Sequence, residues 1–357
     1  MTSPATDQDV RDFFEANDYL QYPKEDIIFF QQGTLPCLTP DGKFMMETAT
    51  KVAESPDGNG GIYRALHTSG AIQDMEKRGI KYVNAFAVDN PLIRVNDPIF
   101  VGYCQEVQAD IGAKVAKKND PEEKVGVLCK QDGKYAIAEY SEMDEATKSE
   151  RTSSGELRFD AGNLCIHMYT FDFLAKKCHP DKLPTVYHAA NKKIPYADPK
   201  TGVTIPKSEL QDNTGIKLES FIFDVFPEAE NVAAMRIQRH LEFAPIKNAP
   251  GAKSDSPDTA RQQYSDMCRN WLKAVGCTVG GPSNSLVEIS PLVSYAGENL
   301  ETLAGLRVEA PVAIISRDEK LPRELEKLQS DWHPVDMSPE SVQHTFVNSI
   351  NIYRVSK

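Results

Sequence analysis

The residues best suited to bind a ligand lie in one stretch of the sequence, residues 55–90. The stretch begins with the glycine-rich segment Ser-Pro-Asp-Gly-Asn-Gly-Gly and ends with an apolar run that reaches Asp89 and Asn90. A glycine-rich turn lets a ligand approach the backbone, because glycine has no Cβ and tolerates positive φ. A helix after such a turn offers free N–H groups to an anion, and a carboxylate ending a buried strand lies where α/β proteins bind ligands. The stretch therefore predicts a site for a phosphorylated ligand, although a glycine-rich segment is equally consistent with a plain turn.

Composition and charge restrict the class of protein. The 357 residues are 40% hydrophobic and 26% charged, which is ordinary for a soluble globular protein of one or two domains. The formal net charge of −12 argues against a nucleic-acid partner. No apolar run approaches the roughly 18 residues that a membrane-spanning helix needs. The seven cysteines contain no C-x-x-C pair and the N-terminus shows no signal peptide, so we expect a cytoplasmic protein without a disulfide framework or zinc ribbon.

The elements that position the glycine-rich stretch alternate between helix and strand at first and then become antiparallel. Hydrophobic periodicity and turn residues predict them in this order: a helix with a capping box of Thr6 and Asp9, a buried strand over 26–32, a hairpin turn at Asp41-Gly42, a helix over 69–78, a strand over 82–90, a helix over 97–110, and strands over 111–118, 124–142 and 156–171 with a hairpin turn at Asp132-Gly133. This order predicts an α/β fold with a mixed sheet.

The rest of the chain predicts a second, smaller domain. Residues 180–214 are polar and rich in proline, which is typical of a loop excursion. A helix is expected over 259–275, and strands within 286–297 and 306–316. We therefore expect a core domain over residues 1–250, and a linker helix with a small β-containing domain over 251–357. The last forty residues show no pattern that assigns them an element.

Two cysteine–histidine pairs invite a metal-site interpretation. These are Cys165 with His167, and Cys178 with His179. Neither pair has the spacing of structural zinc ligands, and adjacent strand residues point to opposite faces. We interpret both pairs as incidental.

Eight segments of the sequence, in this order, resemble the eukaryotic UDP-N-acetylglucosamine pyrophosphorylase family: FFQQGTLP, SPDGNGGIYRAL, GIKYVNAFAVDN, AEYSE, FDAGN, GIKLESFIFD, FAPIKNA and EISPLVSYAGE. The resemblance extends over about residues 1–316. It implies a uridylyltransferase that makes UDP-N-acetylglucosamine and pyrophosphate from UTP and N-acetylglucosamine 1-phosphate, with Mg²⁺. It also implies a Rossmann-like, GT-A-like nucleotidyltransferase core, whose mixed sheet is flanked by helices, and a small C-terminal β-containing domain.

One motif of that family has no counterpart in this sequence. It is a glycine-rich nucleotide loop of the type L-x-x-G-x-G-T-R-L-G, and in the family it precedes all the segments quoted above. The resemblance therefore implies that the chain corresponds to the C-terminal portion of such an enzyme, with an incomplete core over residues 1–250. Whether this portion turns over substrate alone stays open, as does its preference between N-acetylglucosamine 1-phosphate and the galactosamine epimer. Two alternatives also stay open: a non-catalytic sugar-nucleotide-binding protein, and a relative acting on another sugar 1-phosphate.

The resemblance also implies roles for single residues. Their positions match family residues that bind the nucleotide (Gln32, Gly58, Asp89 and Lys247) or the sugar (Asn59, Glu139, Tyr140, Asn163 and Phe221). A glutamine amide suits uracil because it offers a donor and an acceptor, and a lysine supplies positive charge where phosphoryl transfer gathers negative charge. In this family Asp89 also implies a Mg²⁺ ligand, and Lys247 a catalytic contact to the phosphates.

Each of these residues has a structural interpretation as well. Gln32 is consistent with a strand-end amide bonded to backbone, and Asp89 with a helix N-cap. Tyr140 and Phe221 are consistent with core side chains, and Lys247 with a solvated loop residue.

Overall fold

The computed structural model describes residues 1–183 and 186–316 and, for the backbone alone, residues 332–334 and 350–355. The chain divides into two compact units. The first comprises Met1–Ala85 and Pro98–Arg236, and the second comprises Phe86–Asp97 and Ile237–Lys357. The boundary at residue 250 stays a prediction.

The first unit combines helices with a mixed sheet. Its helices are α1 (Asp7–Ala16), α2 (Ile62–Thr68), α3 (Ala71–Lys77), α4 (Pro98–Glu106), α5 (Glu145–Ser149) and α6 (Phe171–Cys178). Its strands are β1 (Thr34–Pro36), β2 (Met46–Thr48), β3 (Lys51–Val52), β4 (Glu54–Pro56), β5 (Tyr82–Phe86), β6 (Ile111–Lys117), β7 (Val127–Gln131), β8 (Lys134–Ala138), β9 (Ala161–Thr170), β10 (His188–Lys192), β11 (Tyr196–Ala197), β12 (Thr204–Ile205), β13 (Gly215–Glu219) and β14 (Val232–Arg236).

The main sheet of this unit has the strand order β14-β6-β9-β7-β8, and β5 also pairs with β9. Strands β14 and β6 are parallel, whereas β6 with β9 and β7 with β8 are antiparallel. The predicted α/β fold with a mixed sheet is therefore confirmed. The predicted turn at Asp132-Gly133 is also confirmed, because these two residues, both with positive φ, join β7 to β8.

The longest strand of the sheet, β9, contains a bulge. Ala113 of β6 pairs with His167 and Val115 pairs with Asn163, so Lys114 alone lies opposite residues 164–166. Cys165, in the middle of these residues, has φ 52°, a left-handed conformation that L-residues adopt rarely. Bulges of this kind bend a strand and change the direction of its side chains.

The core of the first unit is apolar and well buried. Tyr63 of α2, Tyr169 of β9 and Phe226 are among its members, each at most 1% exposed. Burying a side chain of this size contributes about 1.5–3 kcal/mol. This core therefore fixes α2, which follows the glycine-rich turn, relative to β9.

The second unit contains the helices α7 (Arg239–Glu242) and α8 (Pro257–Ala274) and the strands β15 (Thr278–Gly280), β16 (Val287–Ile289), β17 (Arg307–Glu309), β18 (Val312–Ser316), β19 (Trp332–Pro334) and β20 (Ile350–Val355). Ser256 and Thr259 form a capping box at the start of α8, and Pro257 occupies its first position. Leu272 of α8 lies in a core with residues of β16, β17 and β18. The predicted helix over 259–275 is therefore confirmed.

Several predicted elements differ in the structure. Residues 27–30 form no ladder strand: Thr2 N donates to Phe30 O and Gln32 N donates to Thr2 O, so the neighbour of this segment is the N-terminus. Thr6 precedes α1 without a side-chain cap, because its Oγ1 accepts from Ser3 N instead.

The strand predicted to reach residue 90 ends at Phe86, and Asp89 lies in the following turn. The helix predicted over residues 69–78 is α3 (Ala71–Lys77), which begins after Gly70, a residue in the left-handed conformation; the preceding helix, α2, ends at Thr68. The predicted loop over 180–214 contains the short strands β10, β11 and β12. Of the last forty residues, β19 and β20 are described and the others lie outside the described residues. No described helix is long and apolar enough to cross a membrane.

Candidate functional site

The glycine-rich turn packs directly against the backbone that follows β13. Gly60 N donates to Ser220 O, at 2.9 Å. A Cβ on Gly60 would lie 2.8 Å from Phe221 N, and a Cβ on Gly58 would overlap Ser220 O. Gly58 has φ 90° and ψ 175°, a combination that only glycine adopts readily. The glycines therefore permit a close approach of two backbone segments, and this approach brings Gly58 beside Ser220 and Gly60 beside Phe221.

Asn59 holds the same segment through its side chain. Asn59 Oδ1 accepts a hydrogen bond from Ile222 N at 2.9 Å, and Tyr63 Oη donates to Ile222 O. Both polar groups of the Ile222 backbone are thus fixed by residues from the glycine-rich turn and from α2. Asn59 therefore lies next to the segment that carries Phe221, the other residue assigned to the sugar. A direct contact between Asn59 and a ligand stays a prediction.

Gln32 lies on the other side of the same turn. Gly33 O accepts from Asp57 N at 3.1 Å, so that Gln32 and Gly58 flank one backbone hydrogen bond. The Gln32 side chain is half-buried. The structure therefore brings together the two residues to which the sequence assigns the uracil.

Asp57, which the sequence analysis did not single out, is a buried carboxylate in this turn. It is 8% exposed, and its Oδ1 has no hydrogen-bond partner among the described residues. Burial raises the pKa of Asp57 from its ordinary value. With Arg64 and Tyr187 it lines a cavity of about 180 Å³. The only signal in the sequence is an acidic residue between Pro56 and Gly58.

Phe221 is held by a network centred on His188. The two rings stack with centroids 4.2 Å apart and planes at 26°. His188 Nδ1 lies 2.9 Å from Glu142 Oε1, and His188 Nε2 lies 2.9 Å from Asp224 Oδ1. Asp224 Oδ2 in turn accepts from Phe221 N at 2.7 Å. Both the ring and the backbone of Phe221 are therefore fixed by one connected set of side chains.

The charge of His188 follows from its two acidic partners. Burial acts to lower the pKa of His188, but the hydrogen bonds to Asp224 and Glu142 outweigh this effect and raise the pKa above its ordinary value. Only the imidazolium donates from both ring nitrogens, so protonation completes the network. The sequence analysis missed His188 because its partners are distant in the chain.

Glu139 and Asn163 also come together. Asn163 N donates to Gly126 O at 2.8 Å, and a Cβ on Gly126 would lie 2.6 Å from Glu139 Oε1. Gly126 thus lies between the two predicted sugar residues. Tyr140 lies half-buried in the turn after β8, the same turn that carries Glu142. A carboxylate and an amide that both lie against one glycine suit the hydroxyl and acetamido groups of one sugar.

Asn163 is connected to a buried histidine. Asn163 Oδ1 lies 3.0 Å from His167 Nε2 and accepts from Cys165 N at 3.3 Å. His167 is fully buried, and burial lowers its pKa to about 3, so the imidazole stays neutral. Cys165 and His167, which the sequence analysis interpreted as an incidental pair, thus both hydrogen-bond to Asn163.

In the second unit, the backbone of Asp89 bonds to Ile246, the residue before Lys247. Ile246 N donates to Asp89 O at 2.8 Å, and Lys247 N donates to Asp255 O at 2.8 Å. The Lys247 side chain is exposed and that of Asp89 is half-buried. The structure therefore groups the two residues to which the sequence assigns the phosphates and the metal.

Asn90, which the sequence analysis names only as the end of the apolar run, fixes this arrangement. It is 2% exposed; its Nδ2 donates to Glu242 O at 2.8 Å, and its Oδ1 accepts from Ala244 N at 2.9 Å. The turn that carries Asp89 is thereby attached to the segment that leads to Lys247. Its only sequence signal is a polar residue between Asp89 and Pro91.

The side chains around Asp89 determine which kind of Mg²⁺ site this region can form. A Mg²⁺ bound to nucleotide phosphates usually takes only one or two protein carboxylates and keeps several waters. Asp89 offers one half-buried carboxylate beside Lys247, and no larger acidic group accompanies it among the described residues. This set fits a Mg²⁺ carried by a phosphorylated ligand and does not fit a cage made by protein side chains alone.

A mixed sheet with a glycine-rich turn that approaches a ligand-lining segment is typical of nucleotide-binding α/β proteins. The sequence profile of the UTP–glucose-1-phosphate uridylyltransferase family matches residues 1–256. The chain belongs to this family.

Individual relatives agree with this assignment. A probable UDP-N-acetylglucosamine pyrophosphorylase of Dictyostelium discoideum is 44% identical over 306 residues, which are 84% of this chain and 62% of that protein. UDP-N-acetylglucosamine diphosphorylase 1 of Arabidopsis thaliana is 44% identical over 321 residues, which are 88% and 61% of the respective chains. The crystal structure of a putative UDP-N-acetylglucosamine pyrophosphorylase from Entamoeba histolytica superimposes with a TM-score of 0.79 and 33% identity, covering 88% of this chain and 76% of that one. The chain thus spans about six tenths of the length of the curated relatives that it matches.

Proposed function

We propose that this protein is a uridylyltransferase that makes UDP-N-acetylglucosamine and pyrophosphate from UTP and N-acetylglucosamine 1-phosphate. The observation that carries the proposal is the packing of the glycine-rich turn on residues 220–222: Gly58 lies against Ser220 and Asn59 bonds to Ile222, the two neighbours of Phe221. This packing groups residues assigned to the uracil with residues assigned to the sugar. Relatives at 44% identity carry the name of this enzyme.

The uracil is bound by Gln32 and by the backbone at Gly58. A carboxamide offers a donor and an acceptor, which matches the alternating N–H and C=O groups of the uracil edge. Ser220 O fills the position that a Cβ on Gly58 would take, so the base meets the Gly58 backbone from the other side of the turn. The half-buried position of Gln32 next to Gly33 supports this assignment.

The sugar is bound by Asn59, Glu139, Tyr140, Asn163 and Phe221. Glu139 accepts hydrogen bonds from sugar hydroxyls, Asn163 meets the acetamido group, and the Phe221 ring covers an apolar face of the sugar. The stacking of Phe221 on His188 and the short distance between Glu139 and Gly126, next to Asn163, support this assignment.

The reaction needs no protein nucleophile. A phosphate oxygen of the sugar 1-phosphate attacks the α-phosphorus of UTP, the new P–O bond forms, and the bond to pyrophosphate breaks roughly in line. The protein orients both substrates and neutralises charge. Lys247 supplies positive charge to the phosphates, and Asp89 holds a Mg²⁺ that neutralises the phosphates when it is bound. We place this reaction in the cytoplasm; its partners are small molecules rather than nucleic acid, in line with the net charge of −12.

Calorimetric titration tests the proposal. The chain is titrated with UDP-N-acetylglucosamine, UDP-glucose and UDP, and circular dichroism confirms that the protein is folded. We expect UDP-N-acetylglucosamine to bind at least tenfold more tightly than UDP-glucose, since one hydrogen-bonded group distinguishes them and is worth about tenfold or more. A folded chain that binds none of the three contradicts the proposal. Equal affinity for both sugar nucleotides favours a relative acting on another sugar 1-phosphate.

A matched pair of variants tests the uracil assignment. Gln32→Ala should lower the affinities for UDP and for UDP-N-acetylglucosamine by the same factor, because both ligands contain uracil. Its neighbour Gln31 is exposed, and Gln31→Ala serves as the control. A Gln32→Ala effect that appears with the sugar nucleotide alone would remove Gln32 from uracil recognition.

A further inference from the structure

The distance between Asn163 and His167 is unusual for their positions on one strand. Residues four apart on a regular strand are about 13 Å apart, yet Asn163 Oδ1 and His167 Nε2 are 3.0 Å apart. The bulge in β9 explains the difference: the two residues pair with Val115 and Ala113, which are only two apart on β6. The bulge therefore brings the buried imidazole next to the carboxamide assigned to the acetamido group.

The hydrogen bonds fix which Asn163 atom is the oxygen. The Cys165 backbone N–H can only donate, so the Asn163 atom 3.3 Å from it must be an acceptor, the oxygen Oδ1. His167 Nε2 lies 3.0 Å from the same oxygen and must therefore donate to it. A neutral imidazole has one N–H, so Nδ1 carries no proton and accepts instead.

The donor for Nδ1 is the hydroxyl of Tyr169. Tyr169 Oη lies 3.4 Å from His167 Nδ1 and 3.3 Å from Ile222 O. Ile222 O also accepts from the Tyr63 hydroxyl, and its two lone pairs can take both donors, so the Tyr169 proton is shared between Ile222 O and His167 Nδ1. The side chains of Tyr63, Tyr169 and His167 are each at most 1% exposed, so water does not compete for these hydrogen bonds. The proton order thus runs from Tyr169 through His167 to Asn163.

We propose that His167 is a positioning residue that fixes the carboxamide of Asn163 so that its Nδ2 donates to the carbonyl oxygen of a sugar acetamido group. This inference rests on the proposed function and deepens it, because it states how the site distinguishes an acetamido group from a hydroxyl at the same carbon. The Nδ2 of Asn163 contacts Cys165 Sγ at 3.6 Å, a weak acceptor that a carbonyl oxygen readily replaces. Without the donor at Nε2, the carboxamide can rotate and present its oxygen, which repels the acetamido carbonyl.

Two substitutions separate the hydrogen bond from packing. His167→Phe keeps a ring but removes the donor, and should lower the affinity for UDP-N-acetylglucosamine at least tenfold more than the affinity for UDP-glucose. His167→Gln keeps an N–H near the position of Nε2, and should restore the selectivity. Tyr169→Phe removes the proton that Nδ1 accepts, and should reduce the selectivity less. Tyr264→Phe, which removes a hydroxyl bonded to Ile289 O in the second unit, is the control and should leave the selectivity unchanged.

The proton order has its own test, which needs no ligand. Nitrogen-15 NMR of histidine-labelled protein distinguishes the two neutral tautomers, and the His167 signals are identified by their absence in His167→Gln. We expect Nε2 to carry the proton at neutral pH. A proton on Nδ1, or rapid exchange between tautomers, would overturn the inference.

The outcomes separate this inference from the proposed function. A wild-type protein that binds no uridine ligand contradicts the proposed function and the role in selectivity, while NMR still decides the proton order. Wild-type selectivity that His167→Phe leaves intact contradicts the positioning role alone. If His167→Phe and His167→Gln both fold but lose affinity equally for the two sugar nucleotides, His167 has a structural role only. This result also contradicts the inference.

Discussion

The imidazole of His188 stacks on the ring of Phe221, with centroids 4.2 Å apart, and also bonds to the carboxylate that accepts from the Phe221 backbone N–H. One residue thus holds both the ring and the backbone of Phe221. The second nitrogen of His188 contacts Glu142, in the turn that carries Glu139 and Tyr140. The protonation of His188 therefore couples two parts of the proposed sugar site.

This network predicts a pH-dependent stability. The folded-state pKa of His188 is raised above the unfolded value of about 6.5. The stabilisation is therefore complete below about pH 6.5 and is lost as the pH rises through the folded-state pKa. Glu142 and Asp224 bond to the ring, and Glu219 lies opposite His188 in the β10–β13 ladder, so the groups that face His188 are acidic. We expect His188→Gln to lower the free energy of unfolding by about 1 kcal/mol at pH 6 and by less at pH 9. The effect is small for a charged hydrogen bond because the site is partly exposed.

Thermal denaturation of both proteins at the two pH values measures this difference. His179→Gln is the control, because His179 is 60% exposed and lies 3.6 Å from an exposed Asp181. A surface pair of this kind contributes little. A cost of His188→Gln that is equal at pH 6 and pH 9 would show that packing, not charge, is lost.

A pair of glycines separates backbone strain from close packing. Gly42 has φ 82° and open space around the position of a Cβ, so Gly42→Ala should cost about 1 kcal/mol, the penalty for a left-handed residue. An alanine at position 58 would overlap Ser220 O and would also have to adopt a conformation that only glycine adopts readily. We therefore expect Gly58→Ala to lower the free energy of unfolding by about 2–4 kcal/mol. Urea denaturation measures both costs. Equal costs would mean that the turn relaxes away from Ser220.

Local patterns predicted much of this fold, because some elements depend on nearby residues alone. The helix α8 follows from a capping Ser256 and apolar periodicity, and the turn at Asp132-Gly133 follows from residues that tolerate positive φ. The same reasoning failed over residues 26–32, since an apolar segment becomes a ladder strand only with a partner along its length. Among the described residues, this segment bridges only to Thr2, at Gln31.

The candidate site was predictable only where a residue acts through its immediate neighbours. The Gly58 turn is local, and the sequence indicates it. His188 has partners 46 and 36 residues away, so no spacing pattern indicates it. The bulge that joins Asn163 to His167 arises from pairing with β6, and regular strand periodicity predicts the opposite, a wide separation.

Asn90 predicts a local effect in the second unit. Asn90→Ala removes two buried hydrogen bonds, to Glu242 O and from Ala244 N, and should lower the free energy of unfolding by about 2–4 kcal/mol. Hydrogen exchange should show faster exchange at Ala244, because the amide loses its acceptor. Asn248→Ala, which removes an exposed side chain from the same unit, is the control. Unchanged protection of Ala244 would show that Asn90 does not hold this segment.

Lys247 predicts a loss confined to ligands with phosphates. Its exposed side chain lies on the segment that bonds to Asp89, so Lys247→Ala removes positive charge beside the proposed metal ligand. We expect the affinity for UDP and UDP-N-acetylglucosamine to fall about tenfold, the worth of one charge-assisted contact, while the weak affinity for uridine stays unchanged. Lys253→Ala, which removes another exposed lysine downstream, is the control. If Lys253→Ala lowers the affinity for UDP equally, the effect reflects the general charge of this surface. If Lys247→Ala lowers the affinity for uridine as much as the affinity for UDP, Lys247 does not act on the phosphates.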